Sequence, residues 1–215
     1  MSFDFESPEE VHGEDGKWCK EPGTYHFTVA NILEGQTEKG TPIDGFTVKL
    51  EALAGGTVEG CQGQQHTETV FAPNLSQSEE SQSMAKRKLA AFFIACDLMT
   101  PEQLGKPVQI ELEQAVGRQL VAELAKRYDK DETTGKYTKE TKYLQFHYAN
   151  IYHVDDPDVK DIPKNADAIG LIGKEHRHDE EYFAPLKKKN GKKASQPSQP
   201  VAAASAATSF DDLFE

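Results

Sequence analysis

Cysteine is scarce. Cys19, Cys61 and Cys96 are the only three in 215 residues. They are widely spaced and odd in number, which argues against a disulfide framework and suits a reducing compartment. No run approaches the ~20 apolar residues of a membrane span, and no apolar leader opens the chain. A cytoplasmic protein with no membrane partner is therefore expected. Hydrophobic residues amount to only 37%, low for a chain that is globular throughout, and this points to ends that contribute nothing to a core. The remaining stretch of about 150 residues is long enough to bury an apolar interior without staples.

Catalytic signatures are also missing. There is no CxxC pair, no GxSxG, no HExxH and no phosphate-binding glycine loop. His176 and His178 form an HxH, but Glu175, Asp179, Glu180 and Glu181 around them read as a solvated loop. Glu111 and Glu113 share a face of an expected strand and need a third acid to hold a hard cation; a solvated strand face is the simpler reading. Cys96 falls in a helical register that makes it core. No catalytic residue, metal or cofactor is expected, and the chain does not read as an enzyme.

Cations are outnumbered, with 24 Lys and Arg against 36 Asp and Glu and a net charge of −12. Taken alone this opposes nucleic-acid binding, because phosphate contacts need cations. The distribution changes the picture. Residues 1–16 carry six acids and no Lys or Arg, and 155–181 is acid-rich. Between them lie Lys86, Arg87 and Lys88, then Arg118, Lys126, Arg127, Lys130, Lys136, Lys139 and Lys142.

Residues 1–22 have no sustained period and read as an irregular arm. From Gly23 the pattern becomes alternating: Tyr25, Phe27 and Val29 predict one strand, and Phe46, Val48, Leu50 and Ala52 a second. Gly55-Gly56 makes a turn, and a third strand is expected between Thr57 and Phe71. Ser81 to Met99 reads as a helix with Ala85, Leu89, Phe92 and Cys96 on one face, Phe93 beside them, Ser83 as its cap and Thr100-Pro101 as its stop. Val108, Ile110 and Leu112 predict a strand. Residues 118–128 mix helix-favouring composition with strand alternation and are assigned to a strand. Asp129 to Lys142 has the composition of a long hairpin tip. Tyr143 to Val154 is a further strand, with Leu144, Phe146 and Tyr148 on one face and Tyr143, Gln145 and His147 on the other.

Three strands, a helix between the third and fourth, and a long hairpin before the last strand match an OB-fold-like, mainly β five-stranded barrel. The expected organisation is an arm over 1–22, the barrel over 23–156, an irregular wrapping segment over 157–186, a flexible basic, Pro- and Ala-Ser-rich linker over 187–208 and an acidic aromatic tail over 209–215.

Two features of this layout carry function. Single strands are held by cations combined with aromatic faces on which bases stack. Basic residues adjoin tyrosine three times over one hairpin: Lys126, Arg127 and Tyr128; Lys136 and Tyr137; Lys142 and Tyr143, followed by His147. Adjacency also arises because tyrosine favours strands and lysine loops. Trp18, between Lys17 and Lys20, is a second aromatic candidate or a plug for the barrel. The other feature is the tail, where Phe210, Leu213 and Phe214 are apolar anchors and Asp211, Asp212 and Glu215 supply negative charge. Such a tip is suited to capture by a partner, or to competing with a nucleic-acid backbone for the basic groove.

The GTYHFTV opening strand, KRKLAAFFIACDL, GKPVQIELE, the long hairpin before YLQFHYANIY, and the SFDDLFE tip resemble bacteriophage single-stranded-DNA-binding proteins. The resemblance implies an OB-fold with an acidic, Phe-bearing tail. It further implies sequence-independent protection of single-stranded DNA in phage replication or recombination, in the host cytoplasm, with the tail recruiting replication or recombination proteins. This chain ends FDDLFE where bacterial proteins of that function end in a DDDIPF-like tip. Two other readings stand beside it: a DNA-mimicking adaptor or inhibitor of a host nucleic-acid enzyme, favoured by the −12 charge, and a metal-dependent nuclease using Glu111 and Glu113. Oligomeric state is not legible.

Overall fold

The computed structural model of the protein describes residues 18–187. Five antiparallel strands form one sheet: β1 (Gly23–Gln36), β2 (Pro42–Ala52), β3 (Gln65–Phe71), β4 (Gln119–Lys130) and β5 (Tyr137–His153), in the order β3-β2-β1-β4-β5. One long helix, α1 (Glu79–Ala95), lies between β3 and β4 in sequence, and two short ones, α2 (Ala166–Gly170) and α3 (Ala184–Lys187), follow β5. The molecule is mainly β. No helix among the described residues is long and apolar enough to cross a membrane.

Alternation builds the core. Tyr25, Phe27 and Val29 of β1, Phe46, Val48 and Leu50 of β2, Leu120, Ala122 and Leu124 of β4, and Leu144 and Phe146 of β5 are buried together with Phe92 of α1. The tight turn after β2 depends on Gly56. Its φ is +78°, and a Cβ there would fall 2.3 Å from the Thr24 carbonyl oxygen, so only glycine fits.

The opposite face of β1 and β4 is covered as well. Val121, Val154 and Val159 cluster there with Tyr152, Ile162, Ile169 and Ile172. His26 is fully buried on this side. Its Nδ1 accepts the Asn165 N–H (3.1 Å), its Nε2 lies 3.1 Å from Gln119 Oε1, and Gln119 Nε2 donates to the Ala168 carbonyl (2.7 Å). The chain after β5 is thus stitched across the sheet, and burial pushes the His26 imidazole down to about 4.

Four expectations need correction. No strand forms at Val108–Glu113: the chain there is irregular and then a 3₁₀ turn over Leu112–Ala115. Both edges of β1 are already taken by β2 and β4, so the alternating Ile110 and Leu112 line a groove beside Phe46 and Phe93 instead of joining a ladder. The helix starts at Glu79 and ends at Ala95 rather than running from Ser81 to Met99; its cap is Ser78, whose hydroxyl accepts the Ser81 N–H. Its end is fixed by Asp97, which takes φ +59°. The hairpin tip is only residues 131–136, because β4 and β5 pair out to Lys130↔Tyr137.

The fourth correction concerns closure. The sheet is open, with no ladder joining β3 to β5 among the described residues. A side chain spans the gap instead. Glu68 on β3, 7% exposed, accepts the Phe146 N–H of β5 (3.0 Å) and lies 3.2 Å from His66 Nε2, and its other oxygen takes the Lys88 ammonium of α1 at 2.5 Å. Burial alone would raise the Glu68 carboxyl, but the His66 and Lys88 contacts outweigh it and hold the group below its ordinary value.

Candidate nucleic-acid interface

The β1–β4 pairing stops at Gly23↔Leu124, whereas β4 and β5 stay paired to Lys130↔Tyr137. Beyond Leu124 the two strands are therefore a two-stranded arm of about 20 Å, with no third strand beside it among the described residues. An ordered turn closes the arm. Asp131 Oδ1 accepts the N–H groups of Thr133 (2.9 Å) and Thr134 (2.8 Å), and these bonds hold its carboxyl below the usual range.

Four of the seven tyrosines are exposed, and all four lie on this hairpin: Tyr128 (44%), Tyr137 (63%), Tyr143 (60%) and Tyr148 (57%). The register places two of them together. Lys126 and Tyr128 lie on one face of β4, and Tyr137 pairs with position 130, two residues past Tyr128, so Tyr128 and Tyr137 share a side. It continues the side on which Leu144 and Phe146 enter the core. Tyr143 sits where β5 carries extra residues between Lys126↔Leu144 and Tyr128↔Glu140, and the Lys142 ammonium lies 5.5 Å from its ring centroid.

Tyr148 was expected beside Leu144 and Phe146 and is instead turned out. The register jumps from Leu124↔Phe146 to Ala122↔Ile151, so His147 to Asn150 form a wide bulge. Tyr148 takes φ +52° there, a conformation that is costly for a bulky residue. Its ring meets the His147 ring at 4.9 Å and 60°. Asn150 Nδ2 donates to Glu123 Oε2 (2.7 Å), and His147 Nδ1 is 3.2 Å from the same oxygen. Burial records the bulge: buried positions are even-numbered at 144 and 146 and odd-numbered at 151 and 153, a parity switch that a continuous strand does not allow.

The cations of the hairpin are partly matched. Between Gln119 and His153 six Lys or Arg face five acids, a near balance in a chain of −12. Lys126 pairs with Glu140 (2.5 Å) and Arg127 with Asp129 (3.4 Å). Lys136 is exposed at the tip. Lys86 and Arg87 are exposed on α1, whereas Lys88 is tied to Glu68 and lies 5.5 Å from the Phe146 ring. Arg118 does not join them. It precedes β4, about 26 Å of strand away from Lys126, and lines a cavity with Asp97, His153 and His176. Trp18, partly buried, bridges to Gln65 of β3. Lys17 and the tail residues Phe210 to Glu215 lie outside the described residues.

Two remaining chemistries were also read from the sequence. Glu111 and Glu113 do not share a strand face, because no strand forms there. The thiols of Cys19, Cys61 and Cys96 are free and buried; burial pushes Cys19 up to about 12 and raises the other two. His176 and His178 are not on a solvated loop as expected: both converge on the carboxylate of Asp97.

No protein-family model matches the chain, and none of the curated proteins compared with it does so either.

Proposed function

We propose that the protein binds single-stranded DNA without sequence preference, along the β4–β5 arm, in phage replication or recombination. The observation that carries this reading is the gathering of every exposed tyrosine, with Lys126, Arg127, Lys136 and Lys142, on one hairpin. Buried tyrosines would be packing; exposed ones beside cations offer stacking faces and phosphate contacts together. The strand order, with α1 between β3 and β4, supports treating the sheet as an OB-type barrel left open at one seam, a fold that presents such surfaces. In the same reading the acidic SFDDLFE tip recruits replication or recombination proteins and competes for the arm when no strand is bound.

Fluorescence anisotropy with labelled oligo-dT at two salt concentrations tests this. Binding should weaken steeply as salt rises. Replacing Tyr137 and Tyr143 by Ala should each cost about 1–3 kcal/mol of binding. The −12 charge favours the rival reading of a DNA-mimicking inhibitor, for which the same titration would show no binding at any salt.

A further inference from the structure

We propose that Asp97, His153 and His178 form a site for a divalent transition-metal ion of the zinc class, with His176 at its rim. These residues come from three separated segments: the end of α1, the end of β5 and the loop after α2. Sequence spacing gives no hint of it, yet one ligand atom from each of Asp97, His153 and His178 lies within 4.8 Å of the others. His178 Nε2 is 2.7 Å from Asp97 Oδ1, His153 Nε2 is 3.9 Å from Asp97 Oδ2, and His176 Nδ1 is 2.9 Å from the same oxygen. Bonds of about 2.0–2.1 Å in a tetrahedron put neighbouring ligand atoms roughly 3.3 Å apart. The observed separations fall on either side of that value, so small rotations of the side chains suffice.

The surroundings suit an ion. The side chains of His153 and Asp97 are 4% and 7% exposed. The Tyr182 ring stacks on His178 at 3.7 Å and 4°, and Phe183 lies 5.7 Å from His153, so the imidazoles are held by packing. Asp97 is held at φ +59°, which aims its carboxylate at the rings. A second layer is present too. Asp155 is fixed by two guanidinium contacts of Arg177 (2.8 Å each) and accepts the backbone N–H of His178 (3.0 Å).

Imidazole nitrogens with one carboxylate select zinc-like ions over calcium or magnesium, which prefer oxygen. Each neutral ring has one proton, and on loading it sits on the nitrogen facing away from the ion. For His176 that is Nε2, which lies 3.7 Å from Glu175 Oε1. For His153 it is Nδ1. Before loading, Nδ1 accepts the Asp155 backbone N–H (3.1 Å), so loading moves the ring proton from Nε2 to Nδ1 and that backbone bond gives way. A cavity of about 370 Å³ walled by Asp97, His153, His176 and Arg118 opens beside the cluster and provides an entry path. The ion would clasp the segment after β5 to the end of α1.

The test uses the full chain without a histidine tag, stripped with EDTA and titrated with Zn²⁺ or Co²⁺. One zinc per chain retained through desalting, a melting temperature raised by Zn²⁺ and lowered again by EDTA, and the visible bands of tetrahedral Co²⁺ are expected. His178→Gln and His153→Gln should abolish the Co²⁺ bands, and Asp155→Asn should weaken affinity about 10–100-fold. A wild-type chain that retains no zinc and shows no melting shift overturns the site and leaves the cluster a hydrogen-bonded clasp. Undiminished zinc in the folded His178→Gln and His153→Gln variants, checked by circular dichroism, overturns it too. Both wild-type readings hold even if a variant fails to fold.

Discussion

Glu68 is the place to strike the fold. It faces inward from β3 and touches three elements at once: Phe146 of β5, Lys88 of α1 and its own neighbour His66. Removing one member of a buried ion pair costs about 3–5 kcal/mol. Lys88 is 25% exposed, so water takes over part of its charge and the low end of that range applies. The Phe146 N–H loses its acceptor as well, worth about 1–3 kcal/mol when left buried and unpaired. These terms overlap, and Glu68→Ala should cost about 4 kcal/mol of a total near 5–15. Glu68→Gln keeps an oxygen for Phe146 but loses the charge, and should cost about 2 kcal/mol. The pH dependence follows from the lowered carboxyl. A folded-state value below the unfolded one gives stability that is present above the unfolded carboxylate range and lost as pH falls through the folded value. Urea titrations at neutral pH and at roughly pH 3 measure both effects, and amide exchange at Phe146 reads the seam directly. A Glu68→Ala protein within 1 kcal/mol of wild type at neutral pH, or one whose deficit persists undiminished in acid, would refute the bridging argument.

His26 gives the opposite titration. It is neutral in the fold with its value lowered to about 4, so its stabilisation is complete above about pH 6.5 and is lost between there and pH 4, by at most about 3 kcal/mol. An NMR midpoint for His26 near 6.5 would contradict this. Tyr148→Gly relieves the positive φ and should raise stability by about 1 kcal/mol while weakening oligo-dT binding about 5- to 150-fold; a variant that binds as tightly as wild type removes Tyr148 from the interface. Deletion of 209–215 should leave oligo-dT affinity equal or higher and abolish capture of a replication partner. Weaker binding on deletion would rule out competition between tail and strand.

The strands were legible where apolar residues alternate with polar ones, as in β1 and β2, because the apolar set is the one that enters the core. The same rule misread Val108 to Leu112, since alternation reports which side chains turn inward and not whether a neighbouring strand is free to pair. Residues 118–128 show the reverse: helix-favouring Ala, Glu and Leu were overruled by the pairing of β4 with β1 and β5. Long-range side-chain contacts left no local trace. Nothing near Glu68 announces Phe146, 78 residues away, and nothing near Asp97 announces His178, 81 residues on. The acidic neighbours of His176 and His178 did signal solvent, but tertiary packing turned the two rings inward regardless. On the arm, the basic-aromatic composition was readable while the bulge that turns Tyr148 outward required the parity of the whole strand.

The outer half of the β4–β5 hairpin is a two-ply ribbon wet on both sides. Such a ribbon is marginal by itself in water. A molecule gripped there supplies the missing ply, so part of the association energy goes into stiffening the ribbon. The heat capacity of binding should then be more negative than the contact area alone accounts for.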